Sequence, residues 1–230
     1  MKVTWKGTNY GQVGFHTELQ EYDAVPPVDS LLMDHAPAFV NPEREAMAAY
    51  LAFGHWTSGD LQLPHRLGPN TATAIENDMK HVPVRPSPVE YYPKPLELGI
   101  REVYVGFTPA DIRNDVPSIA ILPASEWSGS MRALSSLAVA SNAFVFDLAA
   151  SPHPVIAIRA RLAIALLFAG DLSADTLIVD GEGISDIERK RLSALFISVR
   201  IGIRFSTIRD DPNSRFSDGD YNHATTDLRK

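Results

Sequence analysis

Three acids and one histidine are the residues of this chain whose types and spacing suit chemistry. Asp147 follows the apolar run Phe144-Val145-Phe146, Asp180 and Glu182 follow Leu177-Ile178-Val179, and His153 stands shortly after Asp147. Carboxylates gathered at strand ends hold Mg²⁺ or Mn²⁺, which take oxygen ligands. A histidine titrates near neutral pH and serves as a general base. On this reading Asp147, Asp180 and Glu182 are the metal set, and Asp147, His153 and Asp180 are the catalytic candidates. The competing reading makes Asp147 and Asp180 turn or capping residues and Ser151 the cap of a helix carrying His153 in its first turn. Carboxylates just after strands occur in α/β proteins of every function, so the structural reading carries more weight.

A second group is Ser125, Trp127, Ser128, Gly129 and Ser130, placed between an expected strand and an expected helix. Small hydroxyl residues and a glycine at a helix start cradle phosphate through backbone N–H groups, and an indole in a loop stacks on a base or covers a sheet edge. No G-x-x-x-x-G-K-[ST] lysine accompanies them, so a capped, serine-rich first turn is the favoured reading. Gly181 belongs to Asp180-Gly181-Glu182-Gly183-Ile184-Ser185-Asp186, which matches two glycines of a G-x-G-x-x-G fingerprint. Asp186 replaces the third, and the acids repel a pyrophosphate, so a glycine turn is favoured. His16, His35, His55, His65 and His81 lack the spacing of a helical metal site and read as scattered surface histidines. There is no G-x-S-x-G nucleophile elbow.

The elements that must position these groups follow from periodicity. Residues 1–22 read as a β-hairpin, 23–40 as an irregular connection, and Asn41-Pro42-Glu43 as a helix start with an Asn cap and Pro in the first turn. A short helix is expected over Thr71–Lys80. The prolines at 83, 86, 88, 93 and 95 exclude a regular helix and favour extended backbone, a stiff linker or an edge segment that packs through Val89, Tyr91 and Leu96. Strands are expected at Glu102–Phe107, Ser118–Leu122, Ala143–Leu148, Asp175–Val179 and Ile203–Ile208, with helices at about 128–141, 153–169 and 185–200. Strands alternating with helices of this length imply parallel crossovers. The fold class is therefore α/β: a mostly parallel five-stranded sheet with flanking helices over 99–208. A smaller α+β segment with a proline-rich arm (1–98) precedes it, and a polar tail (209–230) follows. The helix after residue 153 is apolar almost all round, so it is expected either deep in the core or against a partner subunit.

The succession of strand, Ser128-Gly129-Ser130, helix, Phe146-Asp147, helix and Val179-Asp180 resembles the opening of the PP-loop ATP pyrophosphatases, the adenine nucleotide alpha-hydrolase-like core. That family carries S-G-G-x-D-S after its first strand; here Arg132 and Ala133 stand where the family has Asp-Ser. The resemblance implies adenine-nucleotide binding, or descent from it with the chemistry lost.

Composition narrows the classes. The absence of Cys excludes disulfides, thiolate metal sites and a thiol nucleophile. A net charge of −7 argues against a duplex-binding surface. Arg159 and Arg161 interrupt the most apolar run, Val155–Phe168, which is shorter than the ~20 residues of a membrane span. The N-terminus has no apolar run of the signal-peptide kind, so a cytoplasmic protein is expected. The function expected is non-catalytic: a Rossmann-like small-molecule- or nucleotide-binding protein, or a protein-complex subunit with a protein partner or a second copy. The alternative is a metal-dependent hydrolase or nucleotide-processing enzyme working with Mg²⁺ or an adenine nucleotide.

Overall fold

A computed structural model describes residues 1–79, 82–149 and 155–206. His81, Ser151, His153 and the tail from 209 lie outside them. The strands are β1 (Lys2–Gly7), β2 (Val13–Glu18), β3 (Ser30–Met33), β4 (Gly59–Leu67), β5 (Val84–Val89), β6 (Arg101–Gly106), β7 (Ser118–Pro123), β8 (Met131–Arg132), β9 (Ser136–Ser141), β10 (Ala174–Asp180) and β11 (Gly202–Ser206). The helices are α1 (Pro42–Phe53), α2 (Pro69–Asp78), α3 (Val155–Leu167) and α4 (Asp186–Ser198).

A five-stranded parallel sheet does not describe this protein. All strands of the described residues join one mixed 11-stranded sheet, in the order β11-β10-β6-β7-β9-β3-β2-β1-β4-β5, with β8 paired to β9. β11, β10, β6, β7 and β9 run parallel. β3, β2 and β1 continue from β9 as an antiparallel meander, and β4 and β5 add parallel to β1. The expected hairpin forms, with Trp5 packed edge-on against Phe15 at 5.1 Å. Residues 23–40 are not wholly irregular, since they hold β3. The proline-rich stretch starts as edge strand β5, where a residue without an N–H is tolerated. Beyond it Tyr91 is exposed, not packed, whereas Val89 does reach the core.

Two further expectations fail for one reason. The helix at 128–141 is instead β8 and β9, and the strand at Ala143–Leu148 is instead a 3-10 segment, Asn142–Ala149. Short apolar runs do not reveal their period. Ser136-Leu-Ala-Val-Ala-Ser is buried at every position, as a central parallel strand is, yet its alanines and leucine favour helix in isolation.

β3 and β9 share a single backbone pair, Met33 with Ser141. Side chains extend this seam. Asn142 accepts from Leu32 N–H at 2.7 Å and donates to the Ser30 carbonyl at 2.9 Å, as a backbone amide would. Ser141 Oγ donates to the Leu32 carbonyl at 2.7 Å, and Asp34 accepts from Ala140 N–H at 2.8 Å.

The helices sit on one face of the parallel strands. Val103, Val105, Ile119, Ile121, Leu137, Val139, Leu177 and Val179 pack with helix residues in the main core. On the other face Ala120, Leu122 and Ala138 form a small separate cluster, against which Ile112 and Trp127 pack from loops. α1 is capped by Asn41, which accepts from Glu43 N–H at 2.9 Å, and is buried from Glu43 to Phe53. It packs along α3, so the cover that the apolar helix requires comes from within the chain. Phe146 closes this core against Phe53 at 5.8 Å and Trp56 at 5.5 Å.

An ionic knot ties the four helices. The Asp78 carboxylate accepts from Tyr50 Oη at 2.7 Å, Arg159 Nη1 at 2.7 Å and Arg191 Nε at 2.9 Å. Arg159 Nε donates to Glu188 at 2.6 Å. Burial pushes the Asp78 carboxyl upward, but the hydrogen bond and charge of Arg159, the Tyr50 hydroxyl and the Arg191 charge outweigh it and hold the group below its ordinary range. Burial and the Asp78 charge push the Tyr50 hydroxyl up.

Candidate functional site

The parallel strands bring their carboxyl ends to one edge, and the segments there carry Asp147, Asp180 and Glu182, the acids singled out by sequence. At the end of β6, Asp111 folds back and accepts from Phe107 N–H at 3.0 Å, Thr108 N–H at 2.9 Å and Thr108 Oγ1 at 2.8 Å. The turn needs glycine at 106, because a Cβ there would lie 2.0 Å from that of Asp111. The Asp111 carboxylate is therefore a loop staple.

At the end of β9 the 3-10 segment presents Phe144 and Asp147. The guanidinium of Arg161, from α3, lies 4.4 Å from the Phe144 ring centroid and 5.3 Å from that of Phe107, a cation–π contact on two rings. Both carboxylate oxygens of Asp147 accept from the same terminal nitrogen, Nη2, while among the described residues Arg161 Nε is buried without a partner. The Arg161 side chain is 17% exposed and that of Asp147 45%.

At the end of β10, Asp180 accepts from Glu182 N–H at 3.0 Å. Arg189 pins the loop by donating to the Gly181 carbonyl at 2.7 Å and the Ile184 carbonyl at 3.0 Å. A Cβ at Gly181 would stand 3.0 Å from both Arg189 Nη2 and Phe205 Cβ. Asp180 and Glu182 are exposed. Among the described residues no group of three His, Asp or Glu side chains is gathered closely enough to hold a metal. Asp147 is held by Arg161, and Asp180 by a backbone amide.

Ser125, Trp127, Ser128, Gly129 and Ser130 follow β7, but no helix begins there, so the loop has no helix N-terminus with which to bind phosphate. Trp127 Nε1 donates to the Gly129 carbonyl at 2.8 Å while the ring packs over Ala120, Leu122 and Ala138. The strand-to-helix succession behind the PP-loop resemblance lacks its first helix for the same reason, and Phe146-Asp147 lies in the 3-10 segment.

The structure also assembles groups that spacing did not. Ser130 Oγ lies 3.4 Å from His35 Nδ1, and the His35 ring stacks on Phe168 at 5.9 Å. His65 Nδ1 lies 2.6 Å from the Glu45 carboxylate, whose buried position pushes it up against the opposing bond and charge of His65. Arg161 with Phe107 and Phe144 is the largest omission. Its one sequence signal is a charge inside an apolar helix, which served above only to exclude a membrane span. No protein-family model, curated protein or solved structure matches this chain. No helix among the described residues is long and apolar enough to cross a membrane.

Proposed function

We propose that the protein is a non-catalytic binding protein for a small phosphorylated molecule of the nucleotide type, taken up at the carboxyl ends of β6, β9 and β10. The observation that carries this reading is the strand order. Within the parallel set the chain runs β6, β7, β9 to one side, then returns past β6 to lay down β10 and β11 on the other. In open α/β sheets the crevice at such a reversal, beyond the strand ends, receives the ligand, and β9-β7-β6-β10-β11 is the order of the first five strands of the dinucleotide-binding class. Rigid loops rim it: Asp111 staples one and Arg189 the other. The same loops favour binding over catalysis, since Asp111, Asp147 and Asp180 are engaged in holding backbone or a guanidinium.

Calorimetry with ATP, ADP and AMP, each with and without Mg²⁺, tests this. Saturable binding at one site without turnover is expected. Steady release of product would replace binding with the enzymatic reading, and no heat with any nucleotide would remove the nucleotide class.

A second reading, contact with a protein partner, rests on a different surface. The arm after β5 exposes Tyr91, Tyr92, Leu98 and Ile100. Its backbone is nevertheless fixed: Glu90 N–H donates to the Leu67 carbonyl at 2.7 Å, and buried Arg44 donates to the Glu97 carbonyl at 3.0 Å. Apolar side chains displayed on an ordered backbone associate at reduced entropic cost.

A further inference from the structure

We infer that Arg161 is the receiving group for the phosphoryl oxyanion of the ligand, and that Asp147 is a built-in competitor which the ligand must displace. This deepens the binding function proposed above and rests on it. Three observations lead there.

The first is place. Phe107 directly follows β6 and Phe144 lies just past β9, so the guanidinium between them stands at the mouth of the parallel strands. The second is the incomplete pairing. A guanidinium offers a planar fork suited to two parallel bonds with one oxyanion. Asp147 takes only Nη2, with both oxygens, and among the described residues Nε is left buried without a partner. A polar group left so is costly, and a better-placed oxyanion would relieve that cost. The third is the difference in exposure. Arg161 is 17% exposed and held on two ring faces, so it is fixed and water reaches little of it. Asp147 is 45% exposed and belongs to a short 3-10 segment, so its carboxylate can swing into solvent without opening the core.

The chemistry sets the ligand class. A dianionic phosphate out-competes a singly charged carboxylate for one guanidinium and spans its fork, whereas a neutral sugar or base gains nothing at this position. Asp147 keeps Arg161 paired in the free protein and sets a threshold that only a strong oxyanion exceeds. Its removal therefore tightens binding, the opposite of what loss of a metal ligand or a catalytic carboxylate would do.

The test is calorimetric titration at low ionic strength of wild type, Asp147→Asn and Arg161→Gln with inorganic phosphate and with ADP. Asp147→Asn is expected to bind both at least ten-fold more tightly than wild type, and Arg161→Gln to bind neither. Asp147 is exposed, so its variant folds and the prediction stands even where Arg161→Gln proves unstable. ADP binding of equal strength in wild type and Asp147→Asn would overturn the role of this pair and leave nucleotide binding intact. Tight phosphate binding to Asp147→Asn with no response to ADP would keep the anion site and remove the nucleotide. Silence with both ligands in all three proteins would overturn both.

Discussion

Arg159 of α3 and Asp78, the last residue of α2, meet at 2.7 Å across 81 residues of chain, with side chains 9% and 2% exposed. Around this contact Tyr50, Glu188 and Arg191 complete a charge-balanced set of two acids and two arginines joined to one phenol. Every helix of the described chain contributes to it, so the helical layer is held by one polar knot as well as by its apolar seam.

Asp78→Asn should be among the most damaging polar substitutions in the protein. It leaves Arg159 buried beside a neutral amide, and breaking one side of a buried pair costs about 3–5 kcal/mol. The pH dependence has a definite sign. The folded-state carboxyl is held below its ordinary value of 3.8, so its stabilisation is full above that value and is lost as pH falls through the lower, folded-state one. Urea midpoints measured downward from pH 6 should fall more steeply for wild type than for Asp78→Asn as the acid limb is reached.

Asn142→Ala removes a donor and an acceptor at once. The Leu32 N–H and the Ser30 carbonyl lose their partner, at about 1–3 kcal/mol for each group left without one. Asn142→Asp keeps the acceptor but turns a carboxylate oxygen toward the Ser30 carbonyl in place of the donor, so guanidinium chloride midpoints of both variants should lie below wild type.

Gly106→Ala places a methyl 2.0 Å from Asp111 Cβ, and overpacking of this kind costs about 1–3 kcal/mol. Asp111→Gly in the same chain removes the atom that is struck. Thermal melts of the two single variants and the double variant should show the double less destabilised than the sum of the singles.

Tyr92→Ser tests the arm. The ring is 92% exposed, so stability should stay within about 0.5 kcal/mol of wild type. If the arm joins copies of the chain, light scattering should show wild type associating and the variant monomeric at equal concentration. Equal masses would place the arm's partner elsewhere.

What was legible in the sequence divides along local and distant lines. The hairpin, the Asn41 cap, α3, α4, β6, β7 and β10 follow from signals within a dozen residues, and each is found where those signals point. Ser185 caps α4 by accepting from Glu188 N–H at 3.3 Å, as the capping-box spacing implies. β9 was missed because an alanine-rich run becomes a strand only when neighbours bury both faces. β4 hides behind Pro64, and β3 is four residues long. At the candidate site the acids were legible, but their counter-charges were not. Asp147 and Arg161 are 14 residues apart in sequence, and nothing short of the fold joins the 3-10 segment to the side of α3. The staple made by Asp111 was not legible, because a side chain folding back on its own loop leaves no mark on spacing.

The seam between β3 and β9 carries a consequence for biosynthesis. Its side-chain bonds join residues 106 to 112 positions apart. A ribosome must therefore add more than a hundred residues after β3 before that strand acquires its second neighbour. Until then the meander β1–β3 waits with an open hydrogen-bonding edge, the state in which strands recruit wrong partners. Loop closure of that length is also entropically slow. Asn142 emerges just behind β9, so the residue that seals the edge arrives with the strand it secures, and the interval of vulnerability ends within one translated segment.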